Sequence, residues 1–305
     1  MNLLLLGANG QVGHALRAAL SGLGRVITSS RDSGDRPCDL AKEEALLRAL
    51  DDTRPDLIFN AAAYTQVDRA EFELDSAAAI NTRLPAILGR WACAHGAGVV
   101  HYSTDYVFDG TASRPYRETD PAHPLGVYGS TKRDGEIALG ESGCNHLILR
   151  TSWVYDAQGR NFLNTMLRLG EQRSELSIVD DQTGAPTSAI FIARTTADVC
   201  RRWLSVSLAD RQALSGIYHL TASGQTTWYG FASAIFQIAL RHGRLTSSPQ
   251  LHAISTKDYP TPARRPAWSV LDNTRIRETF NVTPQHWTEG LAEIANFWKS
   301  SARQC

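Results

Sequence analysis

A tyrosine and a lysine stand four positions apart in the stretch "LGVYGSTKRDGE" (125–136), as Tyr128 and Lys132. Residues at i and i+4 share one face of a helix, so both side chains can contact the same ligand. A free phenol titrates at about pH 10, too high for efficient proton exchange near neutrality, and a neighbouring ammonium lowers that pKa by favouring the phenolate. The pair therefore predicts acid–base catalysis. An exposed pair on an ordinary helix is the alternative.

A hydroxyl group that could assist Tyr128 lies where a buried run ends. The segment "VVHYSTDYVFDG" places Ser103, Thr104 and Asp105 at the end of a predicted strand. A hydroxyl at that place can hydrogen-bond a substrate carbonyl while Tyr128 supplies its proton. The alternative for Thr104 is a capping residue that satisfies a loop amide.

Three glycines follow the first apolar run directly. Gly7, Gly10 and Gly13 come after "NLLLL" and open the helix-like segment "HALRAALSGLG". A phosphate needs backbone amides with no Cβ in the way, and the N-terminus of a helix adds a favourable dipole. Between a strand and a helix this spacing predicts a dinucleotide site, whereas three glycines elsewhere would indicate only a tight turn.

The end of the second strand predicts which dinucleotide binds. A site that prefers NAD usually ends this strand with an acidic residue on the ribose 2′-hydroxyl. Here the strand runs into Arg31, and a guanidinium suits a 2′-phosphate, which favours NADPH. A solvated loop residue is the alternative for Arg31. Further along, Asp39 could accept a hydrogen bond from the adenine amino group, and the small residues at 60–63 allow a flat cofactor to approach the backbone.

The elements that must position these residues alternate along the chain. Apolar runs and helical patterns predict strands at 2–6, 25–30, 55–63, 97–105 and 144–155, and helices at 42–50, at 77–96 and around Tyr128. This alternation indicates an α/β fold with a Rossmann-type, doubly wound parallel sheet. After residue 150 turn-rich pieces separate helices predicted at 189–204, 228–242 and 286–300.

The loss of the strand–helix alternation after residue 150 predicts two structural units. Residues 1–150 are predicted to form an NAD(P)-binding domain, completed by parts of 189–221 and 262–280. Residues 151–305 are predicted to form mainly a smaller, discontinuous lobe over the carboxyl edge of the sheet, where substrates of such folds bind.

Composition excludes several classes of partner. Lys and Arg total 31, as do Asp and Glu, so the formal net charge of the 305 residues is 0. This balance predicts no nucleic-acid partner and no anionic membrane surface. The apolar run at 3–6 has no basic flank, and no run approaches the roughly 18 residues of a membrane span. The five cysteines are dispersed without a C-x-x-C pair, which favours reduced thiols in a cytoplasm: Cys38, Cys93, Cys144, Cys200 and Cys305.

The motifs together resemble a known family. Gly7-x-x-Gly10-x-x-Gly13, "NAA" (60–62), "STDYVFDG" and Tyr128-x-x-x-Lys132 resemble the extended short-chain dehydrogenase/reductase superfamily. Over nearly the whole chain, "TDYVFDG", "YGSTKRDGE", "LRTSWVY", "DDQTGAPTSA" and "RRPAWSVLDNTRI" resemble, more narrowly, the dTDP-4-dehydrorhamnose reductase family. The resemblance implies hydride transfer from NADPH, with NADH often tolerated, to C4 of dTDP-4-dehydro-β-L-rhamnose. This is the last step of dTDP-L-rhamnose synthesis, which supplies cell-surface polysaccharide.

The resemblance also implies roles for individual residues. Tyr128 is the expected proton donor, Lys132 is expected to bind the nicotinamide ribose and lower the pKa of the phenol, and Thr104 is expected to tune hydrogen bonding at the carbonyl. The expected cofactor contacts are Gly7, Gly10, Gln11, Val12, Gly13, Arg31, Asp39, Leu40, Ala63, Tyr64, Thr65, Tyr102, Tyr128 and Lys132. The expected substrate contacts are Thr104, Asp105, Tyr128 and Trp153, with Arg264 and Arg265 as candidates for the pyrophosphate and surface solvation as their alternative.

Two other functions remain open at this stage. A nucleotide-sugar epimerase or dehydratase would retain NAD, and Asp105 beside Thr104 is a pattern shared with some dehydratases. The regulatory subunit of methionine adenosyltransferase resembles these reductases without their chemistry, but this chain keeps all three of Tyr128, Lys132 and Thr104.

A metal is not expected. Some reductases of this kind are dimers with a metal between acidic residues, one of them on the first helix. Here that helix carries His14 and Ala15 and no acid, so no metal requirement is predicted, while a homodimer stays compatible with the sequence.

Overall fold

The structure, a computed structural model, describes the backbone of residues 1–301 and the side chains of residues 1–298. The predicted free thiol Cys305 lies outside these residues. The strands are β1 (Asn2–Leu6), β2 (Arg25–Ser29), β3 (Leu57–Asn60), β4 (Gly98–Thr104), β5 (Asn145–Thr151), β6 (Val154–Tyr155), β7 (Glu175–Val179), β8 (Thr183–Gly184), β9 (Thr187–Ser188), β10 (Gly216–His219), β11 (Thr226–Thr227) and β12 (Gln250–Ile254).

The α-helices lie between and after these strands. They are α1 (Gln11–Ala19), α2 (Glu43–Thr53), α3 (Val67–Ala70), α4 (Leu74–Ala78), α5 (Leu84–His95), α6 (Val127–Gly140), α7 (Phe162–Gln172), α8 (Ala189–Ser205), α9 (Leu208–Ala213), α10 (Trp228–Arg241), α11 (Thr274–Phe280) and α12 (Trp287–Ser301). One turn of π-helix (Ala79–Arg83) joins α4 to α5, and short 3₁₀ segments cover Asp105–Val107 and Thr256–Asp258.

A six-stranded parallel sheet organises the larger part of the chain. Its order is β10-β5-β4-β3-β1-β2, and every neighbouring pair is parallel. The chain runs outward from β1 to β2 and then returns to the other side of β1 with β3. That reversal places a crevice at the carboxyl ends of β1 and β3, where ligands of open α/β sheets bind. The predicted doubly wound parallel sheet is confirmed.

Alternate leucines of β1 pack on opposite faces of this sheet. Leu3 and Leu5 join a core with α1, α8 and α11, whereas Leu4 and Leu6 join a second core with α2, α5 and α6. All four side chains are fully buried, and each such burial contributes about 1.5–3 kcal/mol to folding. A strand covered on both faces needs an apolar residue at every position, which "NLLLL" supplies.

A smaller apolar core lies outside the six-stranded sheet. It is built from α7, α10 and α12 with β7, and β7 pairs in parallel with β12, about 75 residues further on. Short pairs β6–β9 and β8–β11 border it.

Elements such as β10, the sixth strand of the main sheet, were not predicted, and two predicted elements are interrupted. The run at 144–155 is interrupted, because Trp153 takes a left-handed backbone conformation with φ of 47° and separates β5 from β6. The helix predicted at 77–96 contains the π-turn, which bulges the backbone at Asn81. Neither feature has a periodicity that an apolar pattern could report.

Candidate active site

The glycine turn forms a cradle at the end of β1. Gly7 has φ of +77°, and a Cβ there would lie 2.6 Å from the backbone nitrogen of Ala62. A Cβ on Gly13 would lie 2.1 Å from the Gly7 carbonyl oxygen, so only glycine fits either position. Helix α1 then begins at Gln11 with Gly10 as its N-cap and no side-chain cap, which leaves first-turn amides free to bind an anion. These residues fit a dinucleotide pyrophosphate.

The second predicted cofactor region lies after β2. Arg31 is exposed in the loop that follows the strand. Ser30 and Ser33 accept hydrogen bonds from Asn9 Nδ2 at 3.1 and 2.9 Å, which holds this loop against the glycine turn. Asp39 accepts a hydrogen bond from the backbone nitrogen of Ala41 at 3.2 Å, in the turn that leads to α2, with Leu40 half-buried beside it.

The segment after β3 is held by a residue of the π-turn. Asn81 Oδ1 accepts from the backbone nitrogen of Tyr64 at 2.9 Å, and Asn81 Nδ2 donates to the Tyr64 carbonyl at 3.2 Å and to Thr131 Oγ1 on α6 at 3.2 Å. The same segment contains the predicted contacts Ala63 and Thr65. The fully buried amide of Asn81 thus fixes this segment against the helix that carries Tyr128.

At the end of β4 a hydroxyl and a carboxyl form a buried pair. Thr104 Oγ1 donates to Asp105 Oδ1 at 3.0 Å and accepts from the backbone nitrogen of Tyr106 at 3.2 Å. Burial raises the pKa of Asp105 to about 7, against hydrogen bonds that lower it. Thr104 therefore acts as the cap that was its alternative role, and it also faces the phenol of Tyr128.

Tyr128 lies in the first turn of α6. Desolvation raises the pKa of its phenol, although part of the side chain stays accessible, and a hydrogen bond with Thr104 opposes the shift. Its ring packs edge-on against Tyr106 at 5.5 Å. A phenol with a raised pKa stays protonated at neutral pH, which suits a proton donor.

Lys132 lies one turn further along α6 and is almost fully buried. Its Nζ donates to the Tyr102 carbonyl at 2.5 Å and lies 3.2 Å from His101 Nε2. Burial lowers its pKa to about 8, while the carboxylate of Glu136 acts in the opposite direction. The phenol of Tyr102, a predicted cofactor contact, turns instead towards α8 and donates to Thr196 Oγ1 at 2.9 Å.

The electrostatics of the pair differ from the expectation. Lys132 was expected to lower the pKa of Tyr128, yet the shift of Tyr128 is upward and is caused by desolvation, Asp105 and Tyr106. The ammonium is bound to His101 Nε2 and to the Tyr102 carbonyl, both on β4, and it is not among the causes of this shift. The pKa of Tyr128 is therefore set in this structure mainly by burial, with contributions from Asp105 and Tyr106.

Trp153 contributes a flat aromatic surface next to the break after β5. Its indole stacks on Trp228 with ring centroids 3.5 Å apart and planes 3° from parallel, and it is half-buried. Of the two candidate arginines, Arg264 is exposed, whereas Arg265 donates to Asp68 on α3 at 2.7 Å and lies over the ring of Tyr106.

The chain matches known proteins over nearly its whole length. A family model described as "RmlD substrate binding domain" matches residues 1–299. The dTDP-4-dehydrorhamnose reductase of Escherichia coli K12 is 44% identical over 296 residues, which cover 97% of each chain.

The chain belongs to the RmlD family.

Solved structures of RmlD-family reductases share the fold. The dTDP-4-dehydrorhamnose reductase of Clostridium acetobutylicum is 34% identical, with a TM-score of 0.86, over 98% of this chain and 100% of that one. The Bacillus anthracis enzyme, solved in complex with NADP, is 31% identical, with a TM-score of 0.84, over 96% of this chain and 98% of that one. The predicted superfamily and enzyme family are confirmed.

Two residues that help to form this RmlD-family site were not predicted. Glu71 Oε1 accepts from the backbone nitrogen of Val127 at 2.9 Å and so caps the helix that carries Tyr128. Asn81 holds the segment at Tyr64, as described above. Their partners lie 56 and 17 positions away, and no local pattern marks them.

The described residues contain neither a membrane-spanning helix nor a cluster of metal-ligating side chains. Within residues 1–301 no helix is both long and apolar enough to cross a bilayer. No group of three or more His, Cys, Asp or Glu in the described part of the chain is placed to hold a metal ion, and His14 is exposed. The absence of a metal requirement stays a prediction.

Proposed function

We propose that this protein reduces the C4 ketone of dTDP-4-dehydro-β-L-rhamnose to dTDP-L-rhamnose, with NADPH as the hydride source. The observation that carries the proposal is the arrangement at one edge of the sheet. The glycine turn follows β1 and leads into a helix without a side-chain cap, and the buried Thr104–Asp105 pair lies at the end of β4 on the other side of β3. The protonated phenol of Tyr128, in the first turn of α6, is hydrogen-bonded to Thr104. Relatives that match over nearly the full chain are named for this reaction.

The cofactor would be held along the crevice by backbone and side chains. First-turn amides of α1 (Gln11, Val12, Gly13) would bind the pyrophosphate, and Arg31 the 2′-phosphate. Lys132 would bind the nicotinamide ribose. When bound, the nicotinamide supplies the hydride. NADH is expected to bind more weakly than NADPH, because NADH lacks the 2′-phosphate that Arg31 would bind.

Side chains of this protein would supply the proton and hold the substrate. Tyr128 would donate its phenolic proton to the C4 oxygen, and Thr104 would hold that oxygen by a hydrogen bond. Trp153 would pack on a sugar face, and Asp105 would accept from a sugar hydroxyl. A buried alkoxide without a proton source is strongly disfavoured, so the donor is the group on which turnover depends most.

The test is NADPH oxidation against a panel of nucleotide 4-keto sugars. Turnover of the dTDP-linked 4-dehydrorhamnose, with less on UDP-linked analogues, supports the proposal. An epimerase or dehydratase would retain NAD through purification and convert a nucleotide sugar without net oxidation of added NADPH. That result would contradict the reductase proposal.

Replacing Arg31 with Ala should raise the KM for NADPH by about 10- to 100-fold and leave the KM for NADH nearly unchanged, because only NADPH carries the 2′-phosphate. Steady-state kinetics with both cofactors measures this. Arg36→Ala is the matched control, since Arg36 in the same loop is paired with Asp52. Equal effects of Arg31→Ala on both cofactors would remove Arg31 from the 2′-phosphate.

Replacing Trp153 with Gly should raise the KM for the sugar nucleotide by about 2- to 13-fold with little change in kcat, since stacking of an aromatic ring contributes roughly 0.5–1.5 kcal/mol. Glycine also relieves the left-handed conformation at this position, so the melting temperature should move by only a few degrees. Kinetics and thermal unfolding are measured on the same samples. A large drop in melting temperature with an unchanged KM would assign Trp153 to core packing.

The remaining assignments are parts of the same proposal. Residues 1–150, with parts of 189–221 and 262–280, would hold the cofactor, and most of 151–305 would hold the sugar nucleotide. Cytoplasmic location is proposed because Cys38, Cys93, Cys144 and Cys200 are all free thiols. A homodimer stays a prediction.

A further inference from the structure

Lys132 is the last of three buried side chains that are linked in a row by polar contacts. Asn60 Nδ2 lies 3.0 Å from His101 Nδ1, and His101 Nε2 lies 3.2 Å from Lys132 Nζ. Asn60 and His101 are fully buried, and Lys132 is 1% exposed. Sequence patterns assigned no role to His101, which stands within the apolar run of β4.

The parallel sheet creates this chain directly. Asn60 on β3 and His101 on β4 are Cα partners, so their side chains project from the same face of the sheet. Tyr102 follows His101 and projects from the opposite face, towards α8, but its carbonyl accepts from Lys132 Nζ. The ammonium is thereby held between a backbone carbonyl and an imidazole of the same strand.

The charge of Lys132 decides the protonation of His101. An ammonium has no acceptor, so Nε2 must accept a hydrogen bond from it, and the single proton of the neutral ring then lies on Nδ1. Burial and the nearby ammonium both lower the pKa of His101, which keeps the ring neutral.

The amide of Asn60 can serve this tautomer. Asn60 Oδ1 has no hydrogen-bond partner, and the two ends of an amide are assigned only from their hydrogen bonds. Turning the amide end for end presents Oδ1 to the Nδ1 proton and gives that oxygen its partner. A charged Lys132 therefore requires this orientation of Asn60.

The row of hydrogen-bonded side chains from Lys132 to Asn60 does not reach solvent. Asn60 is 0% exposed, so a proton that reached it could not continue to bulk water. The arrangement is consequently suited to holding a charge in place and not to conducting protons.

We propose that His101 is a positioning residue for Lys132: Nε2 accepts from the ammonium, fixes its direction and keeps it charged, while Asn60 fixes the tautomer of the ring. The inference rests on the proposed function in one respect, since Lys132 matters there as a cofactor ligand. The direct readout, the ionisation of Lys132, needs neither cofactor nor substrate.

Other groups also face Lys132 and must be held constant. They are the carboxylate of Glu136 on the same helix and, through its ion pair with that carboxylate, Arg150 of β5. None of them is altered in the variants below.

The experiment is an NMR titration of apo protein labelled at the lysine side chains. The sequence has only four lysines, at 42, 132, 257 and 299, so Lys132→Met assigns the Lys132 signal by its loss. In the unmodified protein this signal should titrate near pH 8, where burial places its pKa. In His101→Met, which offers no comparable acceptor, it should titrate lower by about half a pH unit or more, roughly a threefold change in the ionisation constant.

Matched variants separate positioning from packing. His101→Gln retains an acceptor and should restore the titration towards the original value. Asn60→Ala should shift it downward by less than His101→Met, and it carries the test if His101→Met does not fold. His146→Met removes a buried histidine of β5 whose Nδ1 interacts with the Cys144 carbonyl, and should leave the Lys132 signal unchanged.

An unchanged or raised Lys132 pKa in both His101→Met and Asn60→Ala would overturn the inference. NADPH affinity, measured by fluorescence as the pH rises from 6 to 9, should weaken at lower pH in His101→Met than in the unmodified protein. If the unmodified protein binds NADPH but does not reduce the 4-keto sugar, the proposed function fails, while the titration still decides the role of His101.

Discussion

Replacing Tyr128 with Phe is expected to lower turnover of the 4-keto sugar by about 10²- to 10⁴-fold, the range for loss of a general acid. The substitution removes only a hydroxyl from a ring that packs edge-on against Tyr106, so the fold and NADPH binding should be preserved. Because desolvation raises the pKa of this phenol, it is protonated across the neutral range and holds the proton to be transferred. Turnover, NADPH affinity and melting temperature are measured together.

A second tyrosine provides the matched control. Tyr218 in β10 is 1% exposed and donates through its hydroxyl to the Leu214 carbonyl at 2.8 Å. Tyr218→Phe should cost about 1 kcal/mol of stability and leave turnover within about twofold. If Tyr128→Phe keeps nearly normal turnover, another group delivers the proton and the mechanism is wrong.

The second large effect concerns a buried ion pair behind the site. Arg150 of β5 donates to both oxygens of Glu136 on α6, at 2.8 and 2.6 Å, and both side chains are less than 5% exposed. Arg150→Met should lower the free energy of unfolding by about 3–5 kcal/mol, because it leaves the Glu136 carboxylate buried and unpaired. Urea unfolding at pH 7.5 measures the loss.

The destabilisation caused by Arg150→Met should depend on pH in a definite direction. Without its partner the buried Glu136 carboxylate is charged and unpaired at high pH, so the penalty is full there. The penalty shrinks as the pH falls and the carboxyl takes up a proton. Arg150→Met should therefore be less destabilising at pH 5 than at pH 7.5, and the double variant with Glu136→Gln should recover part of the loss.

Arg133→Met is the control for a general effect of removing an arginine. Arg133 is paired with Asp134 on the same helix but is 35% exposed, and an exposed pair contributes about 0–1 kcal/mol. Similar losses in both arginine variants would show that the Arg150–Glu136 pair has no special weight.

Local patterns were sufficient for five of the six strands of the main sheet, because a parallel sheet buried on both faces favours apolar runs, whereas β10 was not predicted. Leu3 to Leu6 in β1 and Val99 to Val100 in β4 are such runs, and the glycine at position 7 is required by its close backbone contact with Ala62. The apolar runs and the spacing of the glycines are each contained in a few consecutive residues, and so the sequence reports them although their contacts are distant along the chain.

The site could be predicted only in part because its tuning depends on distant residues. The direction of the Lys132 ammonium is set by β4, and the cap of α6 comes from Glu71, 56 positions upstream. A helical i, i+4 spacing places Tyr128 and Lys132 on one face, but it does not say which neighbour each side chain binds. The pKa of Tyr128 follows from burial, which spacing does not reveal.

The position of β10 in the sheet has a consequence for synthesis on the ribosome. This strand (Gly216–His219) covers the outer edge of β5, which is complete at Thr151. Until some 68 more residues have been added, β5 presents a row of unpaired backbone groups along an apolar strand, a template for wrong pairing. At about 5–20 residues per second the nascent chain must keep this edge protected for several seconds.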